Sequence, residues 1–100
     1  MKKAKKTAKK AGARDPLRVS NQVFIRTVTM YYTGRIVAIL KDHLVLEDAA
    51  WIAWSAGRFS DILTSGKVTD VEPFPHPVAV GLGAIVDVTD WPHELPRMQA

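Results

Sequence analysis

The sequence predicts a mainly β (α+β) protein: a small antiparallel sheet or partly open barrel, one short helix and a disordered basic N-terminal arm. Three observations predict this fold class. Runs rich in β-branched residues recur between turn signals. One segment, residues 58–65, carries apolar residues at helical spacing. The first fourteen residues hold seven positive charges and no acidic residue.

The arm is a repeat of Lys pairs separated by Ala or Thr, and its dense like charge predicts disorder. We therefore divide the chain into an arm and linker, residues 1–20, and a β-rich domain with a loose C-terminal tail, residues 21–100. The arm is suited to contact phosphates of nucleic acid or an acidic partner. The alternative is a solvated terminus that only aids solubility. The contact residues would be Lys2, Lys3, Lys5, Lys6, Lys9, Lys10 and Arg14.

The first half of the domain predicts four strands joined by tight connections. A bend is expected at residues 31–34, and turns at residues 41–43 and 48–49. The second strand is nearly all apolar, which favours a central position in the sheet. On the fourth strand, Trp51 and Trp54 would face opposite sides. The four strands are expected over residues 23–30, 35–40, 44–47 and 50–54.

The second half predicts the helix and three further strands. Ser60 is expected to cap the N-terminus of the helix, and Gly66 to end it. The Pro-rich residues 72–77 should not form regular structure. A hairpin turn is expected at residues 81–83, and Trp91 can pin the tail. The three strands are expected over residues 67–71, 78–80 and 84–88.

The composition excludes several classes of protein function. Cysteine is absent, which excludes thiol catalysis and disulfides. Apolar runs such as residues 36–40 are far too short to span a bilayer, so no membrane contact is expected, and no signal peptide is expected either. Residues 15–100 carry a net charge of −3. Only about eighty residues remain to form a core, and a domain of that size is marginal alone, which favours a homo-oligomer.

No catalytic residue, metal site or cofactor is predicted. His43, His76 and His93 are far apart in the sequence and are expected to be solvated loop residues. Two pairs of carboxylates were considered as catalytic candidates: Glu47 with Asp48, and Asp87 with Asp90. Asp48 is better suited to a turn and Asp87 to an outward strand position, so the chain is expected not to be an enzyme.

Aromatic and Arg side chains suggest contact with a partner or ligand. Two Trp residues on opposite strand faces do not both fit easily into one small core, and an exposed Trp near an Arg is typical of a binding hot spot. The alternative is that one Trp fills the core and the other covers a sheet edge. The candidate contact residues are Tyr31, Tyr32, Arg35, Trp51, Trp54 and Arg58.

Two resemblances bear on context. Residues 33–39 and 43–49 resemble the bent hairpin of Sm-like small β-barrels. A longer pattern is similar to a group of small uncharacterised proteins of tailed bacteriophages and prophages. This second resemblance implies a phage context, with the virion or the host cytoplasm as location, and it does not include the arm. The similar segments are residues 24–29, 32–35, 46–53, 57–59, 71–75 and 83–87.

These observations lead to one main hypothesis and two alternatives. The main one is a non-enzymatic, oligomeric virion or assembly accessory protein of phage type, whose arm contacts nucleic acid or an acidic surface of a phage structural protein. The first alternative is a protein that binds or sequesters a nucleotide-type ligand, with Arg26, Arg35 and Arg58 on the phosphates and aromatic rings on the base. The second is a nucleic-acid-binding small β-barrel.

Overall fold

A computed structural model describes residues 14–53 and 58–98 of the chain. It confirms the mainly β fold class: an antiparallel sheet that is not closed, with one short helix. Most of the expected arm, and Trp54, lie outside the described residues. The elements are β1 (Gln22–Thr27), β2 (Tyr31–Ile39), β3 (His43–Ile52), α1 (Phe59–Ser65), β4 (Val71–Pro73), β5 (Val78–Gly81), a 3-10 helix (Leu82–Ala84) and β6 (Ile85–Asp90).

The strands form one sheet in the order β4-β3-β2-β1-β6, and β5 also pairs with β3. β3 is long enough to hold both partners. Its first half, His43 to Leu46, pairs with β5, and its second half, Ala50 to Ile52, pairs with β4. Both short strands therefore lie on the same side of β3, while β6 forms the opposite edge beside β1.

The expected bend at residues 31–34 and turn at residues 48–49 are both wrong. Residues 31–34 begin β2, and Asp48 is a bulge inside the continuous strand β3, with φ of +52°. The register shifts by one residue here, between Thr33 and Arg35. Asp tolerates this left-handed conformation better than most residues. Gly34 makes room opposite it, since a Cβ there would lie 3.1 Å from the Leu46 Cβ.

The first strand ends at Thr27, so its expected continuation to residue 30 is also wrong. Thr27 closes a tight turn, in which its N–H donates to Met30 O at 2.8 Å. Its hydroxyl accepts a hydrogen bond from the Met30 N–H at 2.9 Å. A Thr hydroxyl can compete with strand pairing in this way, which explains why a β-branched run stops early.

Helix α1 confirms that residues 58–65 contain a helix, but the residue at its N-cap is not the expected one. Arg58 is the N-cap residue and no side chain caps the helix, so the expectation that Ser60 is the N-cap is wrong. Gly66 ends the helix as expected, with φ of +73° and its N–H donating to Ile62 O. The apolar face of the helix packs on the sheet through Phe59, Ile62 and Leu63.

Four expectations for the last third are corrected. β4 covers Val71–Pro73 in place of residues 67–71. The first two residues of the Pro-rich segment 72–77, which was expected to be irregular, therefore belong to a strand, and Pro is tolerated there because β4 is a short edge strand. Residues 81–83 do not form a hairpin turn: β5 pairs with β3 whereas β6 pairs with β1, and the 3-10 helix crosses between them. The last strand is longer than expected and reaches Asp90.

The sheet buries apolar side chains on both faces, because neighbouring residues of a strand point to opposite sides. One face carries the first core, which includes Val23, Ile25 and Ile36. The other carries the second core, which lies beneath α1 and the C-terminal tail and includes Phe24 and Trp91. Trp91 is 1% exposed and stacks on Phe24 with ring centroids 5.8 Å apart. It thereby fixes the tail to the sheet.

Candidate docking surfaces

The structure brings together two of the six candidate contact residues. Tyr32 on β2 and Trp51 on β3 are direct cross-strand partners, so their side chains share one face of the sheet. Tyr31 occupies the other face, Arg58 precedes α1, and Arg35 is ion-paired. Trp54 lies outside the described part of the chain. The candidate residues that the structure describes therefore do not form one continuous site.

We call Tyr32, Trp51 and Phe74 the aromatic face. The Tyr32 ring stacks on the Phe74 ring, with centroids 6.0 Å apart and planes 24° apart. Tyr32 and Phe74 also pack against the first core, which holds them in place. Trp51 stands at the outer side of this group and is 37% exposed. Beyond Trp51 the next cross-strand residue is Glu72 on β4, so the aromatic group ends at the edge of the sheet.

On the opposite face, Tyr31 belongs to an aromatic cluster with Phe24 and Phe59, whose rings lie 5.3 to 6.1 Å apart. Arg26 covers this cluster, with its guanidinium carbon 4.8 Å from the Phe59 centroid. The same Arg26 donates to both carboxylate oxygens of Asp87 at 3.0 Å. These hydrogen bonds lower the pKa of Asp87 below its ordinary value. Asp87 is therefore the ion-pair partner of Arg26 at a part-exposed strand position.

The other two Arg residues considered as phosphate ligands also have carboxylates near them. Arg35 lies 2.8 Å from the Asp48 carboxylate and 3.3 Å from that of Glu47. Arg58 is 83% exposed and lies 3.9 Å from Asp61 on the same helix. A phosphate would have to displace these carboxylates, and at Arg35 it would meet the two negative charges of the β3 bulge.

The three His residues lie on different parts of the fold. His43 begins β3, His76 is exposed in the Pro-rich segment, and His93 lies in the tail with Nε2 2.7 Å from Leu63 O. His93 is therefore bound to the body, and not a solvated loop residue. No group of three or more His, Asp or Glu residues in the described ranges is arranged to hold a metal ion.

The segment that leads into β1 is fixed to the domain. Leu17 packs against the first core, and its N–H donates to the Asp15 carboxylate at 2.9 Å. Asn21 donates to the Asp90 carboxylate at 2.8 Å, and Arg18 lies 3.8 Å from the same group. The segment before residue 21 was expected to be a linker, but these contacts fix it to the domain. They place the base of the arm beside Asp90 at the end of β6.

A cleft that the sequence did not suggest lies on the side of the second core. It has a volume of about 780 Å³ and separates residues 65–71, from the last residue of α1 to the first of β4, from tail residues 93–98. Val68, Val71 and Leu95 supply apolar lining, and Lys67, Arg97 and Glu94 supply charges of both signs. Arg97 reaches back to the sheet, where it donates to Phe74 O at 3.0 Å and also to Ala49 O. No local pattern in the tail marks these contacts.

Searches of protein-family models, curated proteins and solved structures found no match to this chain. Within the ranges that the structure describes, no helix has the length and apolar character needed to cross a membrane.

Proposed function

We propose that this chain is a non-enzymatic assembly protein of the phage accessory type. It associates with copies of itself through the aromatic face, and its basic arm holds nucleic acid. The observation that carries the proposal is the position of Trp51: partly exposed, and beside Tyr32 on the face of the sheet that carries the first core.

The argument for association rests on the cost of exposing Trp51. An indole that is 37% exposed keeps apolar surface in water, and burying such surface stabilises by about 25 cal/mol per Å². Trp is also among the residues that most often dominate interface energies. Tyr32 is held by its stacking on Phe74, so little side-chain entropy remains to be lost when a partner docks. A second copy of a small, marginal domain is the occupant that gains most from this surface.

The argument for nucleic acid rests on charge and attachment. All acidic residues lie outside the first fourteen residues, which carry seven positive charges. The base of the arm is anchored by Leu17 and Asn21, so the charged segment starts from a defined place on the body. Lys side chains contact phosphates as point charges and read no sequence. The expected binding is therefore strongly salt-dependent and without base preference.

Association can be tested by light scattering of the full chain, of Trp51→Ala and of the control Val19→Ala. Val19 is an exposed apolar residue in the segment before β1 and does not belong to the aromatic face as defined above. We expect the wild type and the control to give the same mass above the monomer, and Trp51→Ala to shift toward the monomer. An equal mass for all three proteins would remove the aromatic face as the interface.

Binding of duplex DNA can be tested by a salt titration. If all seven arm charges engage phosphates, log K falls with log salt at a slope of about −6. A full-length variant with its six arm Lys residues changed to Gln should lower the slope to about −1. The matched control changes the two Lys residues outside the arm, Lys41 and Lys67, and should keep the wild-type slope. Unchanged affinity in the arm variant would assign binding to the body and refute the proposal.

A further inference from the structure

β6 forms one edge of the sheet, and β1 separates it from β2 and β3, which carry Tyr32 and Trp51 of the aromatic face. β6 pairs with β1 along one side, and no other strand in the described ranges pairs along its second side. An edge of this kind presents unpaired N–H and C=O groups, to which a further strand can bond. Val86, on the same strand, is 57% exposed. The edge therefore offers both backbone groups and apolar surface to a partner.

The direction of the backbone groups of β6 follows from one hydrogen bond. The Trp91 N–H donates to Gln22 O at 2.8 Å, and residue pairs along an antiparallel ladder alternate between bonded and non-bonded. Thr89, two residues before Trp91, therefore also faces β1. The N–H and C=O groups of Val88 and Asp90 point the other way, out of the sheet edge. The register with β1 is regular over these residues, since its one-residue shift lies at the start of β6.

We propose that β6 pairs antiparallel with β6 of a second copy, with the twofold axis at Val88, so that the two sheets continue into one. Val88 then lies opposite Val88 of the second copy, and the backbone groups that meet there point outward on both strands. Asp87 lies opposite Thr89 of the second copy, and Val86 lies opposite Asp90. No two like charges are direct neighbours across this pair, and like charges in such positions would destabilise it.

The charge of the edge fits a second copy, because both carboxylates of β6 are balanced within their own chain. Arg26 donates to both oxygens of Asp87, and Arg18 lies 3.8 Å from the Asp90 carboxylate. Two such edges can approach each other without a strong like charge on either side. The contact is also self-complementary, since each copy contributes the same strand, and contacts of this kind are the commonest in homo-oligomers.

The edge of β6 adds a second mode of association to the one proposed for the aromatic face. The two contacts use different strands, so either can form without the other. Each twofold contact joins only two copies, and a chain that has two such contacts assembles beyond a dimer.

Amide hydrogen exchange, followed by NMR at rising protein concentration, tests this pairing in the full-length Trp51→Ala variant. This variant removes the contribution of the aromatic face. The Val88 amide points out of the edge, so its exchange should slow as the concentration rises. The Thr89 amide already faces β1 and is the internal control, whose exchange should change much less. Val88 exchange that is independent of concentration, or equal slowing of both amides, would overturn the proposal whether or not the wild type associates through Trp51.

Two charged variants test the register in the same Trp51→Ala background. Val86→Asp places a carboxylate opposite Asp90 of the second copy, whereas Val86→Lys places an ammonium group there. Because the twofold axis repeats this pair, Val86→Lys should associate about two- to thirtyfold more tightly than Val86→Asp in sedimentation. The matched control makes the same two changes at Leu40, which is 47% exposed between β2 and β3, and these should associate equally. Equal association of the two Val86 variants would refute the pairing of β6 with itself.

Discussion

Replacing Trp91 by Ala tests how firmly the tail is fixed to the sheet. Trp91 is 1% exposed, stacks on Phe24, and donates from its indole N–H to Glu94 O at 3.2 Å. A buried Trp removes about 150–250 Å² from water. At about 25 cal/mol per Å² this corresponds to about 4–6 kcal/mol, close to the 3–5 kcal/mol typical of large-to-small core changes.

Such a loss is comparable with the whole free energy of unfolding of a small domain, about 5–15 kcal/mol. The assay is urea unfolding followed by far-ultraviolet circular dichroism at one fixed protein concentration, since association also contributes to stability. Trp51→Ala is the matched control: the same chemical change at a residue that is 37% exposed should cost roughly two thirds as much.

Trp91→Phe keeps an aromatic ring on Phe24 and provides a folded variant if the Ala variant does not fold. Its cost should lie between those of the wild type and Trp91→Ala. A loss below about 1 kcal/mol for Trp91→Ala, which is the size expected at a surface position, would show that the tail does not pack as described.

Three further predictions concern single positions. Gly66→Ala should lower the free energy of unfolding by about 1–2 kcal/mol or more, because φ is +73° and the His93 ring fills the space that the Cβ would take. Gly83→Ala is the control: its Cβ would meet no atom within 4 Å, so it should change the free energy of unfolding by less than about 0.5 kcal/mol in the same urea assay. Thr33→Val should leave the melting temperature unchanged or raise it, because the buried hydroxyl has no hydrogen-bond partner among the described residues; a clear decrease would mean that the hydroxyl is bonded. The folded-state pKa of Asp87 is lowered by Arg26, so the stabilisation from this carboxylate is present above its ordinary pKa of 3.8 and is lost as pH falls through the folded value. The difference in melting temperature between wild type and Asp87→Asn should therefore shrink in acid, and a difference that grows would contradict the ion pair.

Local sequence patterns were sufficient for the fold class but not for the continuity of the strands. The end of the helix at Gly66 is a local feature, and it appears where expected. Asp48 is different, since Asp favours both turns and the left-handed conformation. Only its pairing across to β2, with Gly34 opposite, makes it a bulge in one long strand. The partner of a strand is likewise a long-range property, which is why the residues between β5 and β6 resembled a hairpin turn.

For the candidate surfaces too, the sequence indicated which residues are suited to contacts, but not how the fold arranges them. Trp51 and Tyr32 were proposed as contact residues from their chemistry, and pairing of β2 with β3 places them side by side. Tyr31 was grouped with them, but strand alternation sends it to the other face. The cleft could not be found from the sequence, because Arg97 contacts Ala49 across a separation of 48 residues.

Sedimentation of the full chain at rising concentration tests the central claim most directly. A body of about eighty residues that keeps Trp51 partly in water should gain stability by covering it with a second copy. We expect the average mass to exceed that of the monomer at tens of micromolar and to rise with concentration, and the tryptophan emission of the chain to move to shorter wavelength in parallel. A chain that remains a monomer throughout this range, with unchanged emission, would contradict the account.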